Sequence, residues 1–157
     1  MSEIHEIYNF IQITENLATS GQPTIEQFKA IQEAGYDVII NLATGKTKND
    51  LPNEGEIVSA LNLAYHNIPV EWENPRSQDL EEFFAVMANY DDKKVYVHCI
   101  ANMRVTAFTM LYRVIKQNIP LAEAQAIMYQ IWHPEEKYPK WHTLIQKTFS
   151  QYETEDA

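Results

Sequence analysis

The sequence predicts an α/β fold: a central, mainly parallel sheet of four to five strands, helices on both faces and a C-terminal helical layer. Three observations carry that expectation. Strand-like and helix-like patterns alternate over the first two thirds of the chain. Residues 36–43 (YDVIINLA) are almost unbroken apolar, as in strands covered on both faces. Everything after Pro120 has helical periodicity.

Taken in order, residues 8–14 (YNFIQIT) have strand chemistry, and residues 16–21 (NLATSG) read as a short strand or loop entering Gly21, Gln22 and Pro23. Thr24 and Gln27 make a capping-box pair, Ile25, Phe28 and Ile31 share a helical face, and Gly35 stops that helix. After the strand at 36–43, residues 44–55 form a polar, turn-rich loop and residues 56–63 a short helix. Residues 65–70 (YHNIPV) are the next sheet strand, and residues 71–77 (EWENPRS) a loop held by Pro75. Asp79 and Glu82 stand at capping spacing before Leu80, Phe83, Phe84 and Met87, a helix ending near Asp91 and Asp92. A strand at 94–98 leads through a turn into a helix at 105–115 that is apolar almost all round and hence buried. Pro120 opens a helix through Ile131; Pro139 opens another whose core face is Trp141, Leu144, Ile145, Phe149 and Tyr152, with the acidic ETEDA end frayed.

A chain of 157 residues is expected to form one domain over residues 1–157. A lone cysteine makes no internal disulfide, no apolar run reaches a membrane span, and MSEIHEIYNF lacks a signal peptide's basic start and apolar core. The expectation is a soluble protein of a reducing cytoplasm. A formal net charge of −10 argues against nucleic-acid and anionic-membrane partners, so any anion site is a local exception. His5, His66, His133 and His142 show no metal-ligand spacing with one another or with Cys99, and no cofactor is implied.

The chemistry concentrates in residues 95–106, VYVHCIANMRVT. A tight strand-to-helix turn aims unpaired backbone N–H groups and the positive helix end at whatever lies over it, which favours an oxyanion. Arg104 adds a forked cation matched to two phosphate oxygens. The same field favours the thiolate form of Cys99, so a nucleophile and an oxyanion cradle share one loop. Outside this setting a lone cysteine is a small buried hydrophobe, and Gly21, Gln22 and Pro23 are no more than a turn.

The stretch HCIANMRVT resembles the signature loop of the cysteine-dependent phosphatase superfamily, the tyrosine and dual-specificity phosphatases. LATSGQPTIEQFKAIQEAGYDVIINLA is similar to the N-terminal part of a bacterial phosphatase-like branch related to the β-lactamase-hydrolase-like proteins, and YHNIPVEWENP resembles the strand and acid loop of dual-specificity enzymes. The blocks follow in the family's order. The resemblance implies that Cys99 attacks phosphorus, Arg104 holds the equatorial oxygens, and the amides of Ile100, Ala101, Asn102, Met103 and Arg104 complete the cradle. It implies further that His98 orients the loop from behind and Thr106 assists breakdown of the thiophosphate. The general acid falls near Trp72, at Glu73 first, then Glu71 or Asp79. The substrate implied is a phosphorylated protein or a small phosphoester; the sequence sets no oligomeric state.

Two features depart from the signature. Four residues, not five, separate Cys99 from Arg104, a spacing shared with single-domain rhodaneses and with the β-lactamase-hydrolase-like group, so loop length does not select phosphorus over sulfur and leaves sulfur transfer through a Cys99 persulfide open. Asn102 stands where glycine is usual; asparagine tolerates positive φ, but the substitution leaves a non-catalytic phosphate-binding module open as well.

Overall fold

A computed structural model describes residues 3–155, the side chains of 153–155 excepted. Its sheet has five strands in the order β1-β2-β5-β3-β4: β1 (Ile11–Thr14), β2 (Leu17–Ser20), β3 (Val38–Asn41), β4 (Ala64–Asn67) and β5 (Val95–His98). β1 pairs antiparallel with β2, and β2, β5, β3 and β4 run parallel. The helices are α1 (Ile25–Glu33), α2 (Glu54–Ala60), α3 (Ser77–Asn89), α4 (Met103–Gln117), α5 (Leu121–Met128), α6 (Pro134–Lys137) and α7 (Pro139–Glu155), preceded by a 3-10 turn at Ile4–Glu6. The α/β class with helices on both faces holds.

Alternation along the strands decides what each face buries. Ala18, Ile39 and Tyr96 point to one face and pack with Phe28, Ile31 and Val58 of α1 and α2. Val38, Ile40, Val95 and Val97 point to the other, against Phe83 of α3, Phe108 and Leu111 of α4 and Trp141 of α7. Both faces of the inner strands are buried, which is why residues 36–43 carry no polar alternation.

Several boundaries differ from the sequence reading for local reasons. β1 starts at Ile11, because Asn9 turns the chain at φ 54°. The helix α2 starts at Glu54, after Asn53 at φ 60°. Asp79 does not open α3: that helix begins at Ser77, and the Asp79 carboxylate reaches back to the Arg76 backbone N–H at 3.2 Å, so it caps from the third helical position. The helix α6 had no distinct signal. α7 continues to Glu155, through most of the ETEDA segment expected to fray, and Asp156 and Ala157 lie outside the described residues. No helix among the described residues is long and apolar enough to cross a membrane.

Candidate active site

β5 lies at the middle of the parallel sheet, so the chain leaving it emerges at the carboxyl end of the strands, where open α/β folds place their ligands. The turn from 99 to 102 feeds straight into α4. Asn102 makes that turn in the left-handed region, φ 68° and ψ 7°, where glycine was the usual residue. Its side-chain amide donates to the Asn9 carbonyl at 2.8 Å and to the Thr19 hydroxyl at 3.1 Å. The Asn9 amide in turn donates to the Ala101 carbonyl at 3.1 Å. The asparagine thus does what glycine cannot: it staples the loop to the turn before β1.

A second attachment comes from the Gly21, Gln22, Pro23 turn. The backbone N–H of Gln22 donates to the Ile100 carbonyl at 3.0 Å, and Gly21 forms an isolated bridge with Ala101. A Cβ on Gly21 would meet that Ile100 carbonyl, so only glycine allows the approach. Among the described residues, the backbone N–H groups of Ile100, Ala101, Met103 and Arg104 donate to no backbone carbonyl in the turn and loop contacts. The loop therefore keeps its donors unspent while its carbonyls are held.

Strand alternation sends His98 and Cys99 to opposite faces. Cys99 is 1% exposed and belongs to the α4 side; His98 is fully buried on the α1 and α2 side, edge-on to Phe28 at 5.7 Å. His98 Nδ1 lies 3.1 Å from the Cys99 carbonyl and Nε2 lies 2.8 Å from Glu54 Oε2. A carbonyl only accepts, so Nδ1 faces it as the donor, while Nε2 faces the Glu54 carboxylate. Glu54 is 5% exposed and also accepts from Gln22 Nε2 at 2.7 Å and the Tyr65 hydroxyl at 2.9 Å. Burial pushes the Glu54 carboxyl up, but the hydrogen bond and positive charge of His98, with the Gln22 and Tyr65 hydrogen bonds, outweigh it and hold it below the usual carboxylate range. Burial and the nearby Glu54 charge raise the Tyr65 phenol.

Arg104 is 9% exposed; its Nη1 donates to the Val70 carbonyl at 2.9 Å, and it forms no ion pair among the described residues. A buried guanidinium held by one neutral carbonyl retains most of its charge for an anion. Thr106 sits in the first turn of α4, its hydroxyl at 2.8 Å from the Asn102 carbonyl and 3.1 Å from the Met103 carbonyl, while accepting from Trp132 Nε1 at 3.1 Å. That hydroxyl proton is bound to the helix backbone, which makes Thr106 a support of the turn.

The three carboxylates near Trp72 are placed differently. Asp79 is buried and spent on Arg76, with Arg76 Nη2 at 2.9 Å. Glu71 pairs with Lys46. Glu73 is exposed, has no hydrogen bond or ion pair among the described residues, and borders a recess of about 290 Å³ with Trp72, Tyr138 and Trp141. Trp72 packs against Trp132, Tyr138 and Trp141 with ring centroids 5.3 to 5.5 Å apart, and its carbonyl accepts from Trp141 Nε1 at 2.9 Å. No group of three or more His, Cys, Asp or Glu suited to a metal occurs among the described residues.

The sequence reading missed Glu54, Gln22 and Tyr65 as partners of the loop. The Gly21, Gln22, Pro23 turn was the available sign; nothing local marked Glu54.

Comparison with known proteins agrees with this architecture. A β-lactamase hydrolase-like protein of Xylella fastidiosa (strain Temecula1 / ATCC 700964) is 32% identical over 120 residues, 74% of this chain; the match spans only 28% of that protein's length. The crystal structure of a DUF442 protein from Shewanella putrefaciens CN-32 superposes with a TM-score of 0.86 at 37% identity, covering 95% of this chain and 96% of that one. A mutant form of Tk-PTP shares the fold at 15% identity, with a TM-score of 0.77 over 93% of this chain and 97% of that one. The family described as DSP-PTPase phosphatase fused to NAD+ kinase matches residues 11–143, and the chain belongs to that family, with a phosphatase fold of the dual-specificity and tyrosine type.

Proposed function

We propose that this chain hydrolyses phosphoric monoesters through a cysteinyl-phosphate intermediate. The observation that carries the reading is Arg104: a buried guanidinium without a carboxylate partner among the described residues, in the first turn of α4 directly after the loop that carries the thiol of Cys99 and the unspent amides. In this reading the Cys99 thiolate attacks phosphorus and the ester P–O bond breaks, the leaving oxygen taking a proton from Glu73. Water then cleaves the S–P bond, releasing inorganic phosphate and restoring the thiolate. The Arg104 guanidinium and the amides of Ile100, Ala101, Met103 and Arg104 hold the phosphoryl oxygens throughout, with Asn102 making the turn that presents them. His98 and Glu54 are positioning residues behind the loop. Glu73 is favoured as acid because Glu71 and Asp79 are committed to Lys46 and Arg76. The chain works as one metal-free domain in a reducing cytoplasm, which preserves the thiol, on a phosphorylated protein or small phosphoester.

The test is protection and turnover together. Vanadate or phosphate slows alkylation of Cys99, and Cys99→Ser abolishes hydrolysis of an aryl phosphate. Turnover unchanged in Cys99→Ser, with no protection by either anion, ends the proposal. The four-residue spacing between Cys99 and Arg104 favours a second reading, transfer of sulfane sulfur through a Cys99 persulfide. Thiocyanate formed from thiosulfate and cyanide in a Cys99-dependent way would select it; the lack of any persulfide by mass spectrometry would remove it.

A further inference from the structure

Acidic residues outnumber basic ones in this chain, 22 to 12, yet a surface cavity of about 610 Å³ between the segment 74–78 and α7 is lined by three cations and no carboxylate. Arg76 stands on one wall and Lys140 and Lys147 on the other. The two lysines are seven residues apart with Thr143 and Leu144 between them, positions that fall on one stripe of a helix, so their Cα atoms lie about 10 Å apart along the cavity. Arg76 shares its charge with Asp79, but neither Lys140 nor Lys147 forms an ion pair among the described residues. Two ammonium groups without a carboxylate partner therefore stand on one wall of a cavity that no carboxylate lines.

The remaining lining suits an organic anion. Asn74, Ser77 and Thr143 supply hydrogen-bonding groups, while Pro75 and Leu144 give an apolar wall for a carbon skeleton. The volume lies within the range of small-molecule sites, roughly 300 to 1,000 Å³, and exceeds what one phosphate fills. The cavity shares Pro139 and Lys140 with the recess beside Glu73. Lys140 borders the recess that Glu73 and Trp72 line, and the loop carrying them begins at Val70, whose carbonyl holds Arg104.

We propose that this cavity is a second anion site, distinct from the Cys99 loop, that binds compounds bearing two or more phosphoryl groups through Lys140, Lys147 and Arg76. The ligand is either the substrate's own further phosphoryl groups or a separate phosphorylated compound. The site itself does not depend on the hydrolase reading above; only its assignment to the substrate does.

Calorimetric titration with inorganic tripolyphosphate tests it on the wild-type chain, on Arg104→Gln and on the double variant Lys140→Gln/Lys147→Gln. Binding persists in Arg104→Gln and weakens about tenfold or more in the double variant, as expected for losing two charged contacts. A second arm compares aryl substrates carrying one or two phosphoryl groups. If the cavity serves the substrate, the double variant raises KM for the doubly phosphorylated compound alone and leaves the singly phosphorylated one unchanged. If it serves a separate compound, the KM ratio stays constant while tripolyphosphate binding still falls. Equal tripolyphosphate affinity in the double variant and the wild type overturns the proposal, as does loss of all binding in Arg104→Gln. No turnover of either substrate, with binding behaviour as stated, would count against the hydrolase reading alone.

Discussion

Glu54 and His98, 44 residues apart in sequence, meet at 2.8 Å with neither side chain more than 4% exposed. Through His98 Nδ1 and the Cys99 carbonyl, this pair joins the start of α2 to the first residue of the candidate phosphate loop. The contact depends on alternation in β5, which turns His98 away from the thiol's face and toward α2.

Glu54→Ala leaves His98 Nε2, Gln22 and Tyr65 without their shared acceptor inside the protein, and should destabilise the fold by about 3 to 5 kcal/mol, as breaking a buried pair does. Glu54→Gln keeps a hydrogen-bonding group and loses the charge, so its loss is smaller. Denaturant midpoints at constant m-value measure both.

The same carboxylate sets a pH dependence. Its folded pKa is depressed, so its contribution is fully present above the unfolded value of about 4.3 and is lost as pH falls through the folded value. The stability gap between the wild type and Glu54→Gln should therefore be constant near neutrality and shrink below about pH 4. A gap that instead widens on acidification would refute this linkage.

Gly21→Ala places a methyl on the Ile100 carbonyl and 2.7 Å from Tyr8 Cδ2. The obstacle is backbone of the loop itself, so the loop must shift. The expected cost is about 1 to 3 kcal/mol, with a loss of phosphate protection of Cys99 out of proportion to the loss of stability. Amide chemical shifts of residues 99–104 would report the displacement.

Asn102 combines a left-handed backbone with two side-chain hydrogen bonds. Asn102→Gly removes only the hydrogen bonds, whereas Asn102→Ala also adds a left-handed penalty of about 1 to 2 kcal/mol. Alanine should thus be the more damaging change, which thermal unfolding can rank.

Glu73→Gln should slow hydrolysis of alkyl phosphates by about 100-fold to 10,000-fold and barely affect aryl phosphates with good leaving groups. Asp79→Asn, by contrast, should cost about 1 kcal/mol of stability through the α3 cap and leave the leaving-group dependence unchanged. Rates across a leaving-group series separate the two.

Features that depend on neighbours along the chain were legible in the residues themselves. Helical and strand periodicity set the alternation of elements; Thr24 and Gln27 formed the capping box they spelled, with Gln27 N–H on the Thr24 hydroxyl at 3.2 Å. The spacing from Cys99 to Arg104 put the thiol just past β5 and the guanidinium in the first turn of α4, because four intervening residues leave room only for a tight turn. What holds that loop came from packing instead. Glu54, Gln22, Asn9 and the Val70 carbonyl reach it across 34 to 93 residues of sequence, through the order of strands in the sheet. Packing also decided part of which carboxylate is uncommitted: Glu71 meets Lys46 from 25 residues away, Asp79 is held locally by Arg76, and Glu73 has no such partner among the described residues. A residue's own periodicity records which face it occupies, whereas its partner is fixed by how separate segments pack, and no local pattern encodes that.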